Sequence, residues 1–219
     1  MQISKSSLSV EVAEKLRQMI NTGILEPGSW LDEQGIAQAM GVSRTPLREA
    51  VRLLSSEGLL RLVPRKGCYV SALNEQDLDE IFPLMAMLEG RCAYEAALRA
   101  TSAEIEELAE MHDQLVHFAT KKDVDDYYAA NRKIHEYIQR IAGNQWLSNL
   151  VDDLRGKLNL SRHQSLSLEG RIDQSCKEHL AIFAAIKAQD PKQADSLTNE
   201  HLINQRKALR QLSESQGRS

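Results

Sequence analysis

Apolar residues recur along most of this chain at helical spacing, interrupted once by a short stretch of β character. Val12, Leu16, Met19 and Ile20 mark one face of a first helix that starts near Ser9 and stops at Gly23. The run from Ile24 to Leu31 contains Pro27 and Gly28 and reads as a connection. A short helix from Asp32 to Met40 carries Ile36, Ala37 and Met40 inward and stops at Gly41, a residue that readily takes positive φ. The chain restarts at Ser43 or Thr45, either of which can cap a helix, and Pro46 suits a first turn. Leu47, Ala50, Val51 and Leu54 then face inward until Gly58 closes the helix. Leu59–Val63 and Cys68–Val70 are β-prone and flank Pro64-Arg65-Lys66-Gly67, which predicts a hairpin with a basic tip. Two short helices joined by a tight turn, followed by such a hairpin, describe a winged helix-turn-helix.

After Ser71–Asn74 the period is helical throughout. Asn74 can cap a helix, and Asp77 in its first turn suits the helix dipole. Six stripes follow: Leu78, Ile81, Phe82, Met85, Leu88, Cys92 and Ala96; Ile105, Leu108, Met111, Leu115 and Phe118; Tyr127, Ile134 and Ile138; Trp146, Leu150, Leu154 and Leu158; Leu180, Phe183 and Ile186; Leu197, Leu202 and Leu209. The fold class is therefore mainly α. Residues 1–71 are expected to form the winged helix, residues 72–212 an all-α bundle of six or seven helices, and residues 213–219 a polar, disordered tail.

Charge sharpens this picture. Residues 1–70 hold nine basic and seven acidic side chains, a net +2, while the rest of the chain carries −6. Six of the nine basic residues lie between Arg44 and Lys66, so the positive surface is local, as contact with DNA phosphates requires. Arg44, Arg48 and Arg52 recur every four residues on one face. An arginine at the start of such a helix can grip guanine O6 and N7, worth about 1–3 kcal/mol of discrimination, and Ser or Thr hydroxyls suit phosphate oxygens. Double-stranded DNA is the partner these features imply. No stretch approaches the ~20 apolar residues of a membrane span, and the N-terminus lacks a signal-peptide core, so a cytoplasmic location with no membrane partner is expected. Cys68, Cys92 and Cys176 show no CxxC pairing and read as free thiols. Among six histidines, His135, His179 and His201 sit amid apolar neighbours on three expected helices. Such residues are either hydrogen-bonded core histidines or, if they converge, one metal centre inside the bundle. His112 and His117 read as surface residues.

The run Val42–Ala50, with Leu54, Glu57-Gly58-Leu59 and Lys66-Gly67, resembles the GntR family of bacterial transcription regulators. Asp79–Phe82, Leu88-Glu89, His135, Ala142-Gly143-Asn144, Glu178–Ile182, Ala185-Ile186, Asp190, Ala194 and His201-Leu202 resemble the FCD effector domain of its FadR-type branch. The resemblance implies Ser43 and Arg48 on phosphates, Arg44 and Thr45 near bases, and Gly67 at the wing tip beside Arg65 and Lys66. Gln34 stands where some relatives carry a basic DNA-contacting residue. It implies a divalent metal, zinc or nickel, on His135, His179 and His201, with Asn131 in the position where the family often has aspartate. It further implies a carboxylate effector. The arginine that relatives carry before the Leu-Glu pair is Met85 here, which leaves Arg91 and His163 as further effector-site candidates. A homodimer reading a palindromic operator completes the expectation, with repression as the expected outcome. The alternative is a metal-dependent hydrolase with a nucleic-acid-binding head, for which Glu178 or Glu136 would have to serve as base.

Overall fold

The computed structural model describes residues 8–21 and 23–216. The chain divides into two compact units that meet between Asn74 and Glu75.

The first unit contains α1 (Leu8–Asn21), α2 (Glu33–Met40), α3 (Arg44–Ser56), β1 (Leu60–Val63) and β2 (Gly67–Val70). Its core gathers Leu16, Leu31, Leu47, Ala50, Val51, Leu54, Leu60 and Cys68 from every one of these pieces except α2, which adds Ala37. α2 starts because the Asp32 carboxylate accepts from the backbone N–H groups of Gln34 and Gly35 at 3.1 and 3.0 Å. It ends at Gly41, whose φ of 65° lets its N–H and that of Val42 return to Gln38 and Ala37. β1 and β2 pair antiparallel, Leu60 opposite Val70 and Val63 opposite Gly67. The connection before α2 adds a third rung: Leu31 N–H donates to Cys68 O, Val70 N–H to Ser29 O, and Trp30 bridges Tyr69.

The second unit is helical among the described residues: α4 (Glu75–Arg99), α5 (Ser102–Lys121), α6 (Val124–Ala142), α7 (Gln145–Ser165), α8 (Arg171–Lys187) and α9 (Pro191–Gln216). Short capped turns join them. Thr101 and Glu104 form a reciprocal capping box, while Asp123 and Asn144 cap α6 and α7. The long α4 packs chiefly along α9, and Arg206 of α9 ties its start by donating to Asp79 and Glu75.

Two stripes are out of phase with the sequence reading. Trp146 and Leu150 are exposed, and Leu147, Val151 and Leu158 fill the inner face of α7. Leu180 is likewise exposed, whereas Ile182, Ala185 and Ile186 are buried. In α7 the bulk of Trp146 points outward because Leu147 and Val151 set the phase, and in α8 Ile182, Ala185 and Ile186 set it, with Phe183 half-buried against His112. The expected tail from residue 213 is helical through Gln216, and residues 217–219 lie outside the described residues.

Candidate nucleic-acid interface and metal centre

In the first unit the buried face of α3 fixes what its other face shows. Leu47, Ala50, Val51 and Leu54 point into the core, so Arg44, Thr45, Arg48 and Arg52 stand in solvent. Ser43 occupies the N-cap, but its hydroxyl makes no cap hydrogen bond, and no acid lies in the first turn. The start of α3 thus combines unsatisfied backbone N–H groups, the positive end of the helix dipole, a hydroxyl and two arginines, a set suited to phosphate. Gln34 is exposed beside it and accepts weakly from Arg44 at 3.4 Å. Arg48 faces Glu33 at 3.7 Å, a solvated pair of little strength that a phosphate can displace. The wing tip exposes Arg65, Lys66 and Gly67. Arg65 holds φ 63° and Gly67 φ 107°; a Cβ on Gly67 would lie 2.8 Å from the Trp30 indole nitrogen. Trp30 and Gly67 are therefore fitted to each other at the turn end of the wing.

In the second unit α6, α8 and α9 bring His135, His179 and His201 together. One ring nitrogen of each lies within 4.8 Å of the others, and all three are buried. Ring centroids are 4.6 to 5.5 Å apart. Two of the rings are held from behind by carboxylates. His135 Nδ1 meets Glu89 at 2.5 Å and His201 Nδ1 meets Glu178 at 2.6 Å. A ring that donates through Nδ1 keeps the Nε2 lone pair free for another group. His135 Nε2, both nitrogens of His179 and Asn131 Oδ1 are buried without a hydrogen-bond partner. Leaving such atoms unsatisfied costs about 1–3 kcal/mol each, and a divalent cation would satisfy several at once. The donor set therefore fits a metal. His201 Nε2 lies 3.3 Å from the Gln205 amide, which must give way before that nitrogen can ligate.

Electrostatics agree. Burial, and for His179 the neighbouring imidazoles, keeps the rings unprotonated at neutral pH. His135 is pushed down to about 4, His179 lies well below its ordinary value, and His201 is lowered too. Neutral imidazole is the ligating form. Burial alone would raise Glu89, but His135, Arg162 and Arg155 outweigh it and hold the carboxylate ionised. Glu178 is likewise pushed by burial toward neutrality, yet His201 and Arg171 bring it down to about 2.

Asn131 lies one turn before His135 and is buried, as a fourth ligand or its neighbour would be. The effector-site candidates fall elsewhere. Met85 is fully buried and offers no polar anchor. The Arg91 side chain is more than half exposed, pairs with Glu95 and lies over Tyr94. His163 pairs with Asp125 at 2.8 Å and stays apart from the buried triad. His112, expected at the surface, is buried; its ring stacks on Phe183 at 4.7 Å and lies 6.2 Å from His179. Its spacing from Leu108 and Leu115 carried that signal, because all three share one face of α5.

Sequence reasoning missed two arginines. Arg155 and Arg162 of α7 are both buried and reach Glu89 at 3.4 and 2.9 Å. Arg155 Nε and Nη1 and Arg162 Nε make no hydrogen bond, although Arg155 Nη1 faces Asp152 at 3.9 Å. Arginines in α7 read as solvated charge until α4 places a buried acid opposite them. The two acids that a hydrolase would need as base are both engaged: Glu178 with His201, Arg171 and Asn204, and Glu136 with Arg132.

Known proteins share this architecture. A family model described as bacterial regulatory proteins, gntR family, matches residues 8–70, and one described as the FCD domain matches residues 80–204. An uncharacterised HTH-type transcriptional regulator of Bacillus subtilis, YdhC, is 29% identical over 184 residues, which cover 82% of this chain and 81% of that protein. The gluconate operon transcriptional repressor of the same organism is 29% identical over 195 residues, covering 86% of this chain and 79% of that protein. The solved structure of Escherichia coli McbR/YncC superposes with a TM-score of 0.81 at 24% identity, over 95% of this chain and all of that one.

Proposed function

The chain belongs to the GntR family of bacterial transcription regulators and carries an FCD domain, and on that premise we propose that it is a cytoplasmic, ligand-responsive repressor that binds a palindromic operator as a homodimer. The observation that carries this reading is the start of α3. Ser43, Arg44, Thr45 and Arg48 stand exposed on an acid-free helix end, in the same unit as a wing tipped by Arg65, Lys66 and Gly67. Arg44 and Thr45 reach base edges in the major groove; Ser43 and Arg48 hold phosphates; the wing tip meets the neighbouring backbone or minor groove. Gln34 supports Arg44 from α2. Two heads related by two-fold symmetry read two half-sites, hence the palindrome. Similarity to a repressor of a gluconate operon supports repression as the outcome.

The second unit is the sensor. His135, His179 and His201 would hold a divalent metal, zinc or nickel, with Asn131 as a weaker fourth donor. Bound there, the ion supplies an open coordination position for an oxygen of an anionic ligand. Glu89 and Glu178 fix the tautomers of His135 and His201. Arg155 and Arg162 compensate the buried Glu89 and leave N–H donors for a carboxylate effector. The ligand changes DNA affinity only so far as it binds two arrangements of the dimer unequally.

The test begins with selection of duplexes from a random pool by the full-length protein. A palindromic consensus is expected, bound by the wild type and lost in Arg44→Ala with the helical content unchanged. A pool that shows no enriched sequence, or an Arg44→Ala variant that binds the consensus as the wild type does, contradicts the assignment.

A further inference from the structure

Trp30 stands between the two parts of the first unit that are assigned to DNA. Its backbone bridges Tyr69 of β2, and its neighbours extend that pairing: Ser29 O accepts from the Val70 N–H at 2.9 Å, and the Leu31 N–H donates to Cys68 O at 2.8 Å. Two residues on, Asp32 caps α2. The first turn of α2 carries Glu33, which faces Arg48, and Gln34, which meets Arg44. Trp30 thus links the wing to the arginine-lined start of α3. Its surface is 56% exposed. A single exposed apolar side chain is ordinary, so the area of the ring alone argues nothing.

The indole nitrogen is the informative atom. A Cβ built on Gly67 would meet Trp30 Nε1 at 2.8 Å, Cδ1 at 3.5 Å and Cε2 at 3.9 Å, so the N–H edge of the ring is turned to the notch that Gly67 leaves open. An indole N–H can only donate, and this one makes no hydrogen bond among the described residues.

Charge decides what that notch would accept. From Leu59 to Asn74 the chain holds Arg61, Arg65 and Lys66 and no Asp or Glu. Arg61 lies opposite Tyr69, and Tyr69 opposite Trp30, so these three side chains share one face of the small sheet. The acids that follow Trp30 are engaged, Asp32 with the backbone of α2 and Glu33 with Arg48. A lone donor among cations suits an anionic oxygen, and in a duplex that oxygen belongs to phosphate.

We propose that Trp30 is a further DNA contact, whose indole N–H donates to a phosphate oxygen seated against Gly67. That phosphate lies in the backbone between the bases read by α3 and the groove met by the wing. The inference rests on the DNA-binding reading given above and adds a neutral contact to its cations. A neutral donor displaces no condensed counterion, so salt separates its contribution from those of arginine and lysine.

The experiment uses the full-length protein, the selected operator and an unrelated duplex of equal length. Trp30→Phe keeps an aromatic ring and removes the donor; its folding at the assay temperature is checked by circular dichroism. It should bind both duplexes about tenfold more weakly, since a dimer loses two contacts worth about threefold each. The slope of log affinity against log salt should stay as in the wild type, whereas Arg65→Ala should lower it. A second measurement leaves Trp30 in place. In Trp146→Phe it is the only tryptophan, and its emission should be quenched by acrylamide in the free protein and protected by the operator. Unchanged affinity in Trp30→Phe overturns the inference. So does a salt slope that falls with the affinity, which would make the ring a prop for Arg65 and Lys66. Emission quenched alike with and without operator, or already shielded in the free protein, overturns it as well. Arg44→Ala is titrated alongside. A wild type that selects no operator brings down the DNA-binding reading and this inference together. Loss of binding in Arg44→Ala with none in Trp30→Phe counts against this inference alone.

Discussion

Each residue proposed to act carries its own chemical signature. Arg44 stands in solvent with one weak contact to Gln34, so removing it should not disturb the fold. Arg44→Ala is expected to lose about 1–3 kcal/mol of discrimination between operator and unrelated duplex, read by anisotropy titration. Arg48→Ala should weaken binding to every duplex alike and lower the salt dependence by about one phosphate contact. Among the histidines, His179 has no hydrogen-bond partner on either nitrogen. His179→Ala should therefore abolish metal uptake by elemental analysis, and Asn131→Asp should raise zinc affinity, because a carboxylate adds the charge that the amide lacks. Protons bear on the same rings. In the unfolded chain a histidine titrates near 6.5, whereas in the fold burial pushes His135 down to about 4 and His179 also lies well below its ordinary value. Between those values the unfolded chain binds more protons, so stability rises with pH there. The stability of the chelated protein should be fully present above about pH 6.5 and decline toward pH 4, by up to about 3 kcal/mol from His135 alone. Melting curves at pH 7.5, 6 and 5 measure this, and a His135→Gln, His179→Gln variant should lose less over that range.

At the scale of elements, the wing shows how a local fit carries function. Gly67 takes φ 107° under the Trp30 indole, so Gly67→Ala combines backbone strain with a contact at 2.8 Å. A loss of about 1–3 kcal/mol in the stability of the first unit is expected by denaturant titration, together with weaker operator binding. The hairpin and the helix-turn-helix were legible because short-range rules decide them: Asp32 caps α2, Gly41 ends it, and Leu47, Ala50, Val51 and Leu54 set the phase of α3. The phase of α7 was not. Its buried apolar side chains, Leu147, Val151 and Leu158, sit next to the exposed Trp146 and Leu150, so apolar character alone points the wrong way there. In the site, the three histidines could be picked out by their apolar neighbours. Glu89, Arg155 and Arg162 could not, because a buried ion network exists only once α4, α6 and α7 have met. His112 lay between these cases: the apolar spacing of α5 includes it, but polarity argued for the surface.

At the scale of the whole molecule, a compact DNA-reading unit and a compact sensing unit are joined between Asn74 and Glu75. Each head alone should bind an operator half-site weakly, and the proposed dimer, by joining two heads, should raise affinity by effective concentration. Among the described residues no helix is long and apolar enough to cross a membrane. The central claim is that occupancy of the His135–His179–His201 site sets the affinity of the head for DNA. The most direct measurement is the affinity of the full-length protein for its selected operator, first after chelation, then with zinc restored, and then with zinc and a saturating carboxylic acid that the protein binds. Coupling between sites is typically 1–3 kcal/mol, so a change of roughly 5- to 150-fold across these states is expected, and it should vanish in His179→Ala. One operator affinity in all three states, in a protein that demonstrably binds the ion and the acid, would contradict the claim.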